Sequence, residues 1–289
     1  MQLEIKNITK QYKNKKALDN VSVILEPGIY GFLGPNGAGK STLMNIMAGV
    51  VKATKGSIML DGKDVVAMGE KYREMLGFLP QTGGFYKNFT GEEFLTYMAI
   101  LKGLKGKESI EAKNKELLKK TNLAKVGNVK IGSYSGGMRQ RLGIAQALIN
   151  DPKILIMDEP TVGLDPKERI RFRNLLSELG KDTIVILATH IVSDVSSIAG
   201  KVIFIKEGKI IETGETDKCI EKIRGKIYEK DMDDREAGKI IDTYKIVNIL
   251  KNGNMMKVRY ISEKAEDGIM VEPTLEDLYM YYFGEEGLC

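Results

Sequence analysis

The sequence predicts an α/β fold whose central sheet is parallel and covered by helices on both faces. Two short apolar runs, Ile154–Met157 and Ile184–Leu187, are typical of strands that are buried on both sides. A helical pattern near Lys167–Gly180 lies between them, as the right-handed crossover between parallel strands requires. A third apolar run, Ile29–Leu33, leads into a glycine-rich segment that is followed by a helix-like stretch, Ser41–Gly49.

That glycine-rich segment, Gly34-Pro35-Asn36-Gly37-Ala38-Gly39-Lys40-Ser41, matches the phosphate-loop pattern G-x-x-x-x-G-K-[ST]. Its glycines let backbone N–H groups curl around phosphate oxygens, while Lys40 would reach the outer phosphates and Ser41 would ligate Mg²⁺. A glycine-rich surface turn is the alternative for an isolated match. The order of strand, loop and helix N-terminus favours nucleotide binding, because it directs the helix dipole at an anion. The predicted nucleotide contacts here are Gly34, Pro35, Asn36, Gly37, Ala38, Gly39, Lys40, Ser41 and Thr42.

Polar residues follow both buried strands, at the carboxyl edge where open α/β sheets bind their ligands. Asp158 and Glu159 come directly after Ile154–Met157, and the chain's single histidine, His190, follows Ile184–Ala188. Asp158 would hold Mg²⁺, directly or through water, and Glu159 would orient and polarise an attacking water. An ordinary acidic turn and a packed histidine are the alternatives. The phosphate loop upstream favours catalytic roles, with His190 touching the γ-phosphate.

The N-terminal third outside these motifs predicts antiparallel strands. Leu3–Ile8 alternates apolar and polar residues, and Val21–Leu25 ends at a Pro-Gly turn. Gly56–Gly62 is a further strand that closes with an Asp-Gly turn.

Capping patterns and a hairpin mark the later elements. Thr90-Gly91-Glu92-Glu93 is a capping box that should open a helix running to about Gly103, and helical sequence continues to Asn150. Val202–Ile211 is typical of a β-hairpin, and Thr274–Asp277 should cap a last, aromatic-rich helix.

Composition limits the partners and the setting. The net charge of +5 is mild, and the lysines between 102 and 130 alternate with acids, which favours a solvated helical face over a nucleic-acid or lipid patch. The apolar runs are far shorter than the ~18 residues of a membrane span, and the first residues lack a signal-peptide layout. Two cysteines, Cys219 and Cys289, are too few for a disulfide framework and their spacing suits no metal site.

Taken together, residues 1–216 resemble the ABC-family ATPases, the nucleotide-binding subunits of ATP-binding-cassette transporters. Tyr134-Ser135-Gly136-Gly137-Met138 is similar to the family's signature motif, and Gly163-Leu164-Asp165 to its D-loop. The resemblance implies that Ser135, Gly136, Gly137 and Asp165 act on nucleotide held by a second cassette. It places Tyr12 against adenine, and it makes Gln81 a residue that senses Mg²⁺ and the attacking water and touches the membrane partner.

Two positions depart from the signature pattern, because Tyr134 replaces a leucine and Met138 replaces a glutamine. Both flank the Ser-Gly-Gly that contacts phosphate, so we expect activity to survive and only the subfamily to be affected. One chain holds one phosphate loop and one signature, which implies a head-to-tail pair closing on two ATP. Such a pair would be coupled to a separate integral membrane permease, at the cytoplasmic face of the cell membrane.

The predicted organisation follows from this resemblance. A P-loop NTPase (RecA-like) core of about 1–85 and 151–216 carries an antiparallel β subdomain, and residues of about 86–150 form the helical signature subdomain. Residues 217–289 contain no phosphate or metal motif, so we expect a small α+β appendage outside the ATPase engine. Its apolar residues are too numerous for a disordered tail: Ile240, Ile241, Ile246, Val247, Ile249, Leu250, Tyr279, Met280, Tyr281, Tyr282 and Phe283.

The segments 272–279 and 190–195 resemble the ATPase subunits of bacterial ABC-2 type exporters, which makes an export motor the leading hypothesis. DNA-maintenance ATPases insert long coiled coils between the phosphate loop and the signature, and no sustained heptads fill that interval here. Translation-factor relatives carry two cassettes in one chain. A soluble assembly-factor ATPase and an importer subunit remain open alternatives. The family's permease selects the transported substrate, so the sequence assigns none.

Overall fold

The structure is a computed structural model that describes residues 1–233, 244–253, 255–263 and 268–284. Its strands are β1 (Leu3–Tyr12), β2 (Lys15–Leu25), β3 (Gly28–Leu33), β4 (Lys55–Leu60), β5 (Lys63–Asp64), β6 (Leu76–Leu79), β7 (Ile154–Asp158), β8 (Ile184–Ala188), β9 (Lys201–Lys206), β10 (Lys209–Glu215), β11 (Ile227–Met232), β12 (Lys245–Asn252), β13 (Met255–Ile261) and β14 (Ile269–Met270). Its α-helices are α1 (Lys40–Met47), α2 (Val65–Met68), α3 (Glu70–Glu74), α4 (Gly91–Leu101), α5 (Lys107–Lys120), α6 (Gly136–Ala147), α7 (Pro166–Leu179), α8 (Val192–Ser196), α9 (Thr216–Glu221) and α10 (Leu275–Phe283).

A six-stranded sheet in the order β10-β9-β3-β8-β7-β6 forms the centre of the fold. Strands β9, β3, β8, β7 and β6 pair in parallel, and β10 returns antiparallel to β9 as the predicted hairpin. Every residue of β7 and β8 is buried, as their uninterrupted apolar sequences predict. Helix α7 connects these two strands, and the expected α/β fold with a parallel core is confirmed.

A second sheet, β2-β1-β4-β5, is antiparallel throughout and contains the strands predicted from the N-terminal alternation. Its apolar face shares one buried cluster with α1 and with one face of the central sheet; Leu3, Leu18, Leu43 and Ile156 are members. The cluster holds the strand that precedes the phosphate loop and the helix that follows it in one rigid unit.

The helices α4, α5 and α6 contribute Phe94, Leu117 and Leu142 to a second buried cluster, which they share with α7 and with the other face of the central sheet. The predicted capping box is present, because the Glu93 N–H donates to Thr90 Oγ1 (3.2 Å) and the Thr90 N–H donates to Glu93 Oε2 (2.8 Å). Helix α4 ends at Leu101, close to the expected Gly103.

The last described residues form a third sheet, β12-β13-β11-β14, followed by α10. This is the α+β arrangement expected of the appendage, and the Thr274 capping box opens α10 as predicted. The appendage packs on the cassette, since Leu278 and Phe283 share a buried cluster with Val195 and Phe204. The boundary near residue 216 stays a prediction. Ile240, Ile241 and Cys289 lie outside the described residues.

Among the residues that the structure describes, no helix is both long enough and apolar enough to cross a membrane.

Candidate nucleotide site

A cleft of about 480 Å³ opens where β1, the phosphate loop and the end of β7 meet. Most of the predicted nucleotide and metal residues come together in its wall. The lining residues are Tyr12, Lys15, Ala17, Asn36, Gly37, Ala38, Gly39, Lys40, Ser41, Thr42, Gln81, Asp158 and Glu159.

The backbone of the phosphate loop depends on its glycines. Gly37 and Gly39 have φ angles of 81° and 111°, in the left-handed region that disfavours side chains. A Cβ on Gly39 would lie 2.7 Å from the carbonyl oxygen of Ala17, so the close approach of β2 also requires glycine. Gly39 supplies no side-chain cap to α1. The first N–H groups of α1 are therefore oriented for an anion, together with the positive end of the helix dipole.

Lys40 is almost fully buried at the start of α1. Its ammonium donates to the carbonyl oxygens of Gly34 (2.6 Å) and Pro35 (3.1 Å). Burial lowers the pKa of Lys40, and the nearby carboxylates of Glu159 and Asp158 oppose that shift. A buried cation that bonds to the carbonyls of its own loop is well placed to exchange them for phosphate oxygens.

Asp158 ends β7 and is also buried. Burial raises the pKa of its carboxyl, while a hydrogen bond from the Ser41 hydroxyl lowers it in part. A carboxylate beside a hydroxyl offers the hard oxygen ligands that Mg²⁺ prefers, and a bound cation would offset the burial cost of this charge. The donor set fits Mg²⁺, and the predicted third ligand, Gln81, lines the same cleft.

Glu159 has a positive φ of 52°, a strained conformation for a residue other than glycine. Its carboxylate is held on both oxygens. The Thr189 hydroxyl donates to Oε2 (3.1 Å), and the backbone N–H of His190 donates to Oε1 (3.2 Å). The Nδ1 atom of His190 lies 2.8 Å from the same Oε1. Glu159 is thus fixed by the end of β8 while its side chain still faces the cleft.

His190 reaches the site through Glu159 and is not among the residues that line the cleft. Its side chain is 54% exposed, so the imidazole lies at the rim. The predicted contact with a γ-phosphate remains a prediction.

Two contributors were not singled out from the sequence. Gln140, on α6, donates to the carbonyl oxygens of Glu159 (3.1 Å) and Pro160 (3.0 Å), which connects α6 to the residues that follow β7. Thr189 orients the Glu159 carboxylate. Gln140 lies five residues after Ser135, and Thr189 lies one residue before His190. This closeness to the predicted motifs was the one signal in the sequence that could have indicated them.

The signature and D-loop residues lie outside the lining of the cleft. Ser135 caps α6 by accepting the Met138 N–H (3.2 Å), and Asp165 caps α7 by accepting the Glu168 N–H (2.9 Å). The two motifs contact each other, because a Cβ on Gly137 would lie 2.6 Å from the carbonyl oxygen of Gly163. Within one chain, these residues therefore form a second surface, separate from the phosphate loop.

The two departures from the signature pattern have structural roles. Tyr134 is buried, and its hydroxyl donates to the carbonyl oxygen of Val126 (2.7 Å). Burial raises the pKa of this phenol. Met138 packs against the core of the helical layer. Both side chains pack into the helical layer, and Ser135 between them caps α6.

A phosphate loop after a buried parallel strand, with an Asp-Glu pair ending a neighbouring strand, defines a P-loop nucleotide-hydrolysing protein. The family model described as "ABC transporter" matches residues 18–162. The chain belongs to this family and is an ABC-type ATPase.

Curated relatives agree with this assignment. The chain is 40% identical over 216 residues to an uncharacterised ABC transporter ATP-binding protein, YxlF, of Bacillus subtilis. The matched residues make up 74% of this chain and 70% of the relative. It is 36% identical to the bacitracin transport ATP-binding protein BcrA of Bacillus licheniformis, over 71% of this chain and 67% of that protein. It is 31% identical to the daunorubicin resistance ATP-binding protein DrrA3 of Streptomyces coeruleorubidus, over 96% of this chain and 94% of that protein.

Solved structures are similar as well. A dimeric structure of the bacterial ABC transporter cassette MJ0796 is 29% identical with a TM-score of 0.69, covering 74% of this chain and 98% of that one. A dimeric post-hydrolysis state of the same cassette, bound to ADP and phosphate, has a TM-score of 0.68.

Proposed function

We propose that this ATPase is the motor subunit of an ABC-2 type exporter, acting as a head-to-tail dimer on a separate membrane permease. The supporting observation is the similarity to DrrA3, which extends over 96% of the chain and therefore includes the appendage as well as the cassette. Relatives named for bacitracin transport and Nod factor export point the same way. An importer subunit remains the alternative at the level of transport direction.

The proposed chemistry is positioning and charge neutralisation, which dominate phosphoryl transfer. The loop N–H groups and Lys40 would hold the outer phosphates, and Tyr12, 45% exposed at the cleft, would stack on adenine. Glu159 would orient and polarise the attacking water. Asp158, Ser41 and Gln81 would hold Mg²⁺, which would offset phosphate charge.

The proposed dimer completes each site with the partner's signature. The supporting observation is that the signature and D-loop residues lie outside the cleft of their own chain. They could therefore contact only a nucleotide held by a second chain. These residues are Ser135, Gly136, Gly137 and Asp165. Ser135→Arg should abolish hydrolysis without weakening ATP binding to the monomer. Mixing Ser135→Arg chains with Lys40→Ala chains should restore some turnover, since one mixed arrangement has one intact composite site. Normal turnover by Ser135→Arg alone would contradict the shared site.

An aromatic patch on α4 and on the segment that precedes it supports permease docking. The Tyr97 ring lies 5.6 Å from that of Tyr86 and 6.0 Å from that of Phe89, between ring centroids. Ile100 and Leu101 extend the same face of α4, three and four residues further on, and are 59% and 61% exposed. A contiguous exposed apolar face of this kind is typical of an interaction surface.

The docking hypothesis has a matched test. Ile100→Asp changes the patch, and Ile170→Asp changes an isoleucine on α7 that is 54% exposed. Each tagged full-length variant is expressed with its native membrane and purified in mild detergent. We expect an integral membrane protein to co-purify with the unmutated chain and with Ile170→Asp but to be lost from Ile100→Asp. Soluble partners alone would favour the assembly-factor alternative.

A further inference from the structure

The C-terminal helix α10 covers α8, the short helix that begins two residues after His190. On its inner side, α8 lies directly on β3: a Cβ on Gly31 would be 2.1 Å from Cγ1 of Val195, which is fully buried. On its outer side, Leu275 and Leu278 of α10 belong to the same buried cluster as Val192 and Val195. Helix α8 is thus sandwiched between the strand that carries the phosphate loop and the C-terminal helix.

The end of α10 packs on β9, the neighbour of the strand that leads into the phosphate loop. The Phe204 ring on β9 lies 5.2 Å from the Tyr282 ring and 6.1 Å from the Phe283 ring. Phe204 pairs with Leu33, the last residue before the loop. The Tyr282 hydroxyl donates to Glu212 Oε2 on β10 (3.1 Å). The helix therefore contacts α8, which follows His190, and β9, which pairs with the strand before the phosphate loop.

The opposite end of α10 is anchored in the appendage. Asp277 is fully buried and receives two hydrogen bonds from Arg259 of β13, at 2.8 Å and 2.6 Å. The Thr274 N–H donates to the same carboxylate (2.6 Å). A bidentate ion pair of this kind fixes the helix in angle as well as in position. Movement of the appendage sheet would therefore be carried to α10.

We propose that Leu278, acting through α8, positions His190 against Glu159, so that the appendage sets the rate of ATP hydrolysis. This revises the expectation that residues beyond 217 lie outside the ATPase engine. Close-packed interiors transmit displacement, and Ile191 alone separates the first residue of α8 from His190, whose Nδ1 lies 2.8 Å from Glu159 Oε1. Leu278 is a positioning residue, since its side chain acts through Val192 and Val195.

The test uses the full chain and two buried truncations of similar size. Leu278→Ala empties the contact with α8. Met232→Ala is the control, because Met232 is buried in the appendage's own cluster with Tyr228 and Tyr260. Leu278→Met conserves the side-chain volume and should keep the contact with α8. If Leu278→Ala does not fold, Leu278→Val replaces it.

His190 is the chain's single histidine, so its ring signals in a histidine-labelled NMR spectrum are assigned without ambiguity. We expect these signals to shift in Leu278→Ala and to stay unchanged in Met232→Ala and Leu278→Met. The kcat for ATP should fall about tenfold or more in Leu278→Ala, with KM nearly unchanged, because misplacing a reacting group by about 1 Å can cost about 100-fold.

Unchanged His190 signals in Leu278→Ala, or equal losses of kcat in Leu278→Ala and Met232→Ala, would overturn the proposal. The inference rests on the proposed roles of Glu159 and His190, yet the experiments distinguish a failure of those roles from a failure of the link between Leu278 and His190. Full turnover by Glu159→Gln would reject the catalytic role, whereas the His190 signals report the mechanical link whatever the chemistry.

Discussion

The nucleotide cleft and the C-terminal region each bury a carboxylate, and the two carboxylates differ in the groups that donate hydrogen bonds to them. Asp277, on α10, is fully buried and accepts hydrogen bonds from the Arg259 guanidinium and from the backbone and hydroxyl of Thr274. Asp158, at the end of β7, is 5% exposed, and its hydrogen-bond donor is the neutral hydroxyl of Ser41. Burial raises the pKa of Asp158, while the pKa of Arg259 is raised by its hydrogen bond to Asp277.

The difference separates structural charge from functional charge. A buried ion pair with complete hydrogen bonding fixes one arrangement of two elements. The charge of Lys40 offsets the burial of Asp158 only in part, and such a carboxylate costs stability and is typical of a site that binds its counter-charge from solution. Lys40 is the corresponding buried cation. Burial lowers the pKa of its ammonium, which donates hydrogen bonds to neutral backbone carbonyls. The charges of the cleft therefore fit a metal ion and phosphate, whereas the ion pair of the appendage holds α10 against β13.

The largest expected effect tests the cleft. Glu159→Gln should leave ATP binding intact and reduce hydrolysis by roughly 10²–10⁴, the scale for loss of a general base. Since turnover would stop with nucleotide in place, the variant should accumulate as a dimer on size-exclusion chromatography with ATP. Thr189→Val, which removes one support of the carboxylate, should give a smaller loss. Near-normal turnover by Glu159→Gln would remove Glu159 from the catalytic role.

The next effect tests the appendage. Arg259→Met keeps the aliphatic stem and removes the guanidinium, which leaves the Asp277 carboxylate buried without its cation. We expect a loss of about 3–5 kcal/mol in the free energy of unfolding, measured with urea. Adding Asp277→Asn should recover part of this loss, because the remaining group is neutral. A cost of the single variant below about 1 kcal/mol, the range of an exposed ion pair, would show that the pair is not structural.

Lys40→Ala sharpens the comparison by removing the buried cation of the cleft. Nucleotide affinity should drop by at least an order of magnitude, on the scale of ~1.5–3 kcal/mol for hydrogen bonds to charged groups. Titration with a fluorescent ATP analogue measures it. Lys63→Ala, at an exposed lysine of β5, is the control and should bind normally. Unchanged binding by Lys40→Ala would reject the phosphate-loop assignment.

The smallest effect concerns stability and has a pH signature. The folded-state pKa of Asp158 is raised, so its contribution to stability is present below the unfolded-state pKa and is lost as pH rises through the folded value. Without nucleotide and with a chelator, Asp158→Asn should therefore raise Tm at neutral pH, by about 2–4 °C if the charge costs about 1 kcal/mol. The gain should shrink near pH 4. A lower Tm at neutral pH would show that the carboxylate stabilises the unliganded fold.

Much of the cleft could be predicted because its signals are local. The glycines at 37 and 39 are required by the backbone of the loop itself, and the buried strand preceding Asp158 is visible as an apolar run. The capping boxes at Thr90 and Thr274 each depend on four consecutive residues. Contacts between residues far apart in the chain could not be predicted in this way, because a single sequence carries no signal for which residues pair. Examples are the contacts of Gln140 with Glu159 and of Arg259 with Asp277.

By itself, the sequence determined the phosphate loop, the Asp-Glu pair, the order of strands and helices and the family resemblance, because each depends on neighbouring residues and on backbone conformation. The tertiary structure decided where the appendage packs. Apolar residues such as Leu278 and Phe283 predict burial without naming a partner, since the hydrophobic effect has no direction. Only the three-dimensional packing places Leu278 over α8, next to the strand end that carries His190.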